Sequence, residues 1–103
     1  MTPQSLAETL EQAEPDAAWP PPLQALWWLQ KGGLAVGPEY RRAHAICQRH
    51  EGDLDHDRVH ALVHWVEGDM GNAAYWYGRV GDARAESLEA EWARLVELIG
   101  REA

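Results

Sequence analysis

Glycine and proline set the outline of this chain before any other residue does. Pro15, the run Pro20-Pro21-Pro22, Gly32-Gly33, Gly37-Pro38, Gly52, Gly68, Gly71 and Gly81 cut it into short stretches. Within each stretch the apolar residues recur three and four apart, the spacing of one helix face. No stretch alternates polar and apolar residues long enough to make a strand. The expected class is therefore all-α. With 103 residues there is room for one domain, spanning 1–103, built from about six antiparallel helices joined by short turns.

The punctuation places the helices. Thr2-Pro3 reads as a cap followed by proline in the first turn, opening a helix that carries Leu6, Leu10 and Ala13 up to Pro15. A second helix, entered through Pro22, carries Leu23, Leu26, Trp27 and Leu29 and ends at Gly32-Gly33. The third runs from Glu39 to about Arg49 with Tyr40, Ala43, Ile46 and Cys47 on one side. The fourth runs from about Asp55 to Glu67, and Asp53, Asp55 and Asp57 suit its positive N-terminal end. A short fifth helix covers Asn72 to Arg79, with Asp69 or Gly71 as its cap. The sixth is expected from Asp82 to Gly100, with Leu88, Trp92, Leu95, Val96 and Ile99 as its apolar stripe.

Charge narrows the partners. A formal net charge of −8 disfavours nucleic acid and anionic membrane surfaces, both of which want a basic face. A single cysteine, Cys47, allows no internal disulfide, and it continues an apolar pattern, so it is expected to be buried and inert. No stretch is apolar enough to span a bilayer, and Met1-Thr2-Pro3-Gln4 has no basic, apolar leader, so the expected location is cytoplasmic.

Two segments suggest a repeat. Trp27 to Leu34 followed by Arg42-Ala43-His44 parallels Val63 to Met70 followed by Asn72-Ala73-Ala74, each an aromatic helix, a glycine turn and a helix opening on alanine. The run Gly71-Asn72-Ala73-Ala74-Tyr75-Trp76-Tyr77-Gly78-Arg79 resembles the second helix of tetratricopeptide-like and Sel1-like repeats. That resemblance implies an α-α hairpin array that binds proteins or peptides. The stretch from Val59 to Tyr77 also resembles a small uncharacterised bacterial family sharing His-Ala-x-x-His, Glu-Gly-Asp and Asn-Ala-x-Tyr-Trp-Tyr elements. It implies no activity.

Chemistry is concentrated on the fourth helix. His56, His60 and His64 are spaced i, i+4, i+8, and Glu67 follows, so all four share one side beside the apolar face. Two histidines four apart and a carboxylate can ligate one metal ion, but ligands on a single helix cannot surround it. A neighbour such as Asp69, His44 or His50 would have to complete the set. The simpler reading sets the imidazoles at a helix–helix boundary as packing groups. The glutamate of a zinc-protease HExxH motif is absent from His60-Ala61-Leu62-Val63-His64.

A second constellation is Glu67, Asp69, Asn72, Tyr75, Tyr77 and Arg79 around the turn into the fifth helix. Tyr75, Trp76 and Tyr77 step by about 100° each, so at least one must face away from the core. The same geometry applies to Trp27 and Trp28. Four of the six tryptophans are expected mainly in the core. The carboxylates of the last helix (Glu86, Glu89, Glu91, Glu97) read as a solvated face.

The leading expectation is a protein- or peptide-binding module acting through an aromatic patch that includes Trp28, with a homodimer as the simplest partner. The alternative is a small metal-dependent or histidine-based enzyme using His60, His64 and Glu67. Catalytic residues are unassigned, no cofactor is called for, and whether the protein is an enzyme stays open.

Overall fold

The computed structural model describes residues 1–102. The protein is all-α, with six helices: α1 (Pro3–Ala7), α2 (Pro21–Lys31), α3 (Pro38–Gln48), α4 (Leu54–Val66), α5 (Met70–Val80) and α6 (Leu88–Ile99). A 3-10 turn, Gly100–Glu102, follows α6. Proline stands in the first turn of α1, α2 and α3, where a missing N–H costs nothing. Polar caps open the others. Asp53 accepts from the His56 N–H, Asp69 from the Asn72 N–H, and Ser87 from the Ala90 N–H. Gly81 closes α5 in the left-handed conformation (φ 77°) that residues with a Cβ avoid.

The sequential pairs α2–α3 and α4–α5 pack most extensively, as short-turn hairpins do, and α4 also touches α3, α2 and α6. The main core gathers Leu6, Leu23, Leu26, Trp27, Leu29, Val59, Leu62, Val63, Leu95 and Val96. Its two deepest indoles are satisfied: Trp92 Nε1 donates to Leu26 O at 2.8 Å and Trp27 Nε1 to Thr9 Oγ1 at 2.9 Å. A second cluster, Ala61, Ala73, Trp76 and Tyr77, joins α4 to α5. Alanines at both faces of that crossing let the two helices approach closely. Among the described residues no helix is long and apolar enough to cross a membrane.

Three expectations change. The first helix ends at Ala7 instead of running to Pro15. Thr9 turns its hydroxyl onto Leu6 O at 2.7 Å, and Lys31 Nζ takes Leu10 O and Gln12 O at 2.6 and 3.0 Å. The carbonyls a helix would use are thus spent on side chains. The sixth helix starts at Leu88, not Asp82, because Asp82 is engaged by Arg58 and Arg94 and Ser87 supplies the cap. Glu91 does not belong to a solvated face: it is fully buried.

Of the six tryptophans, Trp27, Trp76 and Trp92 are buried and Trp19, Trp28 and Trp65 are half-buried. Tyr75 is the member of the Tyr75-Trp76-Tyr77 run that faces out, at 56% exposure. Cys47 is buried, and burial pushes its thiol well above the ordinary range, which keeps it protonated and unreactive.

Candidate functional site

The i, i+4 spacing sets His60 and His64 one above the other on α4, rings stacked with centroids 4.8 Å apart. Packing of α3 on α4 brings a third imidazole, His44, to 5.2 Å from His60 and 5.4 Å from His64. The close α4–α5 crossing lays the Trp76 indole over His60 at 4.4 Å, nearly parallel. Tyr40, one turn before His44, stacks on the His44 ring. Three imidazoles from two helices therefore converge under an aromatic cover.

Their hydrogen bonding is unusual. His60 is only 3% exposed, yet neither of its ring nitrogens has a partner among the described residues. His44 Nε2 is buried and equally alone. A buried polar atom left unpaired costs about 1–3 kcal/mol, so these nitrogens call for a ligand. His64 differs. Its Nδ1–H donates to Glu67 Oε1 at 2.6 Å, which leaves Nε2 as the nitrogen turned away from Glu67. One nitrogen from each of His44, His60 and His64 lies within 4.8 Å of the others. Tetrahedral ligands about 2.0–2.1 Å from zinc stand about 3.4 Å apart, so the stacked rings of His60 and His64 have to reorient to close on an ion.

Burial favours the neutral form of His60 and His44, the form in which an imidazole ligates. Burial first, and the neighbouring His64 and His44 next, push His60 down to about 4. Burial and His64 lower His44 as well. Glu67 is held below the usual carboxylate range by the His64 hydrogen bond. On its far side stands Tyr40, whose phenol is raised by burial and by Glu67. The order Tyr40, Glu67, His64 is a carboxylate–histidine arrangement of the kind that orients metal ligands from behind.

The depressed His60 value has a measurable consequence in protein stripped of metal. Below pH 6.5 the unfolded chain takes up a proton that folded His60 refuses, so stability falls as pH drops towards about 4. By pH 5 about 2 kcal/mol is lost, and His44 adds to it in the same direction. Glu67, whose folded value is depressed, adds its loss only at lower pH. Urea unfolding in chelator at pH 7 and pH 5 measures this, with His60→Leu as the variant lacking most of the slope. Equal stability at both pH values would refute the buried, neutral His60.

The remaining sequence-derived residues fall in several places. Asp69, fully exposed, caps α5 and accepts from Asn72 Nδ2 at 2.7 Å, and it also comes within reach of His64 and Glu67. Arg79 donates to the Tyr75 hydroxyl at 3.3 Å and leans over Trp76. Tyr77 turns inward and donates to Glu91. Trp28 lies on α2 under the Arg42 guanidinium. His56 belongs elsewhere on α4, bonded to Asp53 and stacked on His50 at 4.3 Å. His44 is one of the three groups, with Asp69 and His50, that the sequence offers to complete the set. Nothing in the sequence ranked it above Asp69 or His50, because the facing register of α3 and α4 decides.

Three imidazoles suit zinc, copper(II), nickel or cobalt far better than calcium or magnesium, which want oxygen. Three protein ligands also leave a fourth position for water, as in open zinc sites. The cluster meets solvent on the side of half-buried His44 and exposed Glu67 and Asp69, which gives an ion a way in. Two cavities of about 440 and 370 Å³ lie on other parts of the surface and include none of the three imidazoles. No protein-family model, no curated protein and no solved structure matches this chain.

Proposed function

We propose that this is a small helical metal-binding protein, holding one divalent transition-metal ion between α3 and α4 through His44, His60 and His64. One observation carries the reading: three imidazole nitrogens lie within 4.8 Å of one another, and both nitrogens of the deepest ring are buried without a partner. In this reading Glu67 sits behind His64 as the group that fixes its tautomer, in place of the direct ligand role the sequence pattern also allows. Trp76 and Tyr40 close the site. A metal-bound water in the fourth position would make hydrolytic chemistry available, though the site has more the character of a holder than of a substrate pocket. A single, buried cysteine is in keeping with a cytoplasmic setting.

Cobalt(II) titration tests the proposal directly. A visible d–d absorption saturating at one equivalent, displaced by zinc, is the expected result. No absorption and no zinc-dependent heat at neutral pH would refute it. The role of Glu67 is checked by Glu67→Gln, expected to weaken zinc by about 10–100-fold while the one-to-one stoichiometry stays. Loss of binding altogether would make Glu67 a ligand; no change would remove it from the site.

The aromatic-patch reading has less surface to act through. None of the tryptophans is exposed, and the large apolar side chains exposed on α5 are Tyr75 and Met70.

A further inference from the structure

The larger cavity, about 440 Å³, lies between the chain before α2 and the helices α2 and α3, well within the volume range of ligand sites. Its α3 wall carries Arg42 and Ile46, and Arg49, the C-cap residue of α3, continues the same side at i, i+4, i+7. Neither guanidinium has an ion-pair or hydrogen-bond partner among the described residues. In a chain of net charge −8, these two arginines share a groove whose lining holds a single carboxylate, Glu14. Arg42 is also pre-positioned. Its guanidinium carbon lies 4.7 Å over the Trp28 ring, a cation–π contact that holds the group beside the groove.

The spacing matches one class of ligand. Seven residues of helical rise separate the two arginine backbones by about 10 Å, so side chains held parallel present two guanidinium groups to two separate carboxylates. A polyproline II segment rises about 3.1 Å per residue and repeats every three, so carboxylates at i and i+3 stand about 9 Å apart on one side. Grooves lined by aromatic and proline side chains are the usual seat of such segments. Trp28, Pro15 and Pro21 line this one. We infer that this groove binds an acidic polyproline II segment of another protein, through one carboxylate on Arg42 and a second, three residues on, at Arg49. Glu14 on the opposite wall works against an anionic ligand and sets a limit on affinity. The site is separate from the histidine cluster, and neither depends on the other.

Fluorescence anisotropy with a labelled Glu-Pro-Pro-Glu peptide tests it. Binding should weaken about tenfold in Arg42→Ala and again in Arg49→Ala, and disappear for Gln-Pro-Pro-Gln. Glu14→Gln should tighten it. Arg41→Ala, which changes the net charge equally from an exposed position, should leave it unchanged. Thermal melts of each variant check that the fold is intact. The inference fails if the glutamine peptide binds as well, if Arg41→Ala weakens binding as much as the groove variants, or if no binding is seen at millimolar peptide.

Discussion

Zinc in thousandfold excess over its dissociation constant is expected to raise the melting temperature of the wild-type protein by about 15 °C or more. Binding to the folded state alone contributes RT ln(1 + [L]/Kd), about 4 kcal/mol at that excess. A chain of this length shifts by about 4–8 °C per kcal/mol. The His60→Ala/His64→Ala variant should show none of this. Four-ligand zinc sites draw about 10–16 kcal/mol from their ligands together, so losing two of three imidazoles weakens binding by at least about a thousandfold. In chelator the same variant should melt close to wild type. It loses packing against Trp76, but it also sheds nitrogens that were buried without partners. The rival outcome is distinct: a variant that melts far below wild type in chelator, with zinc changing neither protein, would make the histidines packing groups.

How the sequence led to this point is clearest at α4. The i, i+4 spacing of His60 and His64 and the carboxylate three residues on were visible, and so was the side of the helix they share. Their neighbours were not. Which residue of α3 faces them depends on how two helices cross, and single-sequence periodicity reports the face of a helix but not its rotation against another. His44 and Trp76 therefore entered only with the tertiary packing. The helix ends show the same division. Caps such as Thr2 and Asp69 act through their own next turn and are legible in the sequence, as is the preference of Asp53 for the start of α4. The early end of α1 depends on Lys31, a residue from α2, and the late start of α6 depends on Arg58 of α4. Long-range hydrogen bonds overrode local pattern in both places.

Glu91 is the sharpest case of that override, and replacing it with alanine is expected to cost about 3–5 kcal/mol. Its neighbours on α6, Glu89 and Glu97, are exposed, so helical charge patterning alone groups it with them. In the fold its carboxylate is fully buried and accepts from Arg94 Nε and Nη2 at 2.8 Å each, Tyr77 Oη at 2.9 Å and the Ala85 N–H at 2.9 Å. Arg94 continues to Asp82, which also takes Arg58, so one network pins the chain between α5 and α6 to α4. Removing the carboxylate strands the Tyr77 hydroxyl and the Ala85 N–H; Arg94, partly open to water, recovers some of its loss. Urea unfolding in chelator should show the full effect, and Glu91→Gln, which keeps an acceptor for Tyr77 or Ala85, should lose less than Glu91→Ala. A change under about 1 kcal/mol for alanine would mean the network contributes little. Zinc affinity of folded Glu91→Ala at low temperature should equal that of wild type, because the network lies on the α6 side of α4 and touches none of the three imidazoles.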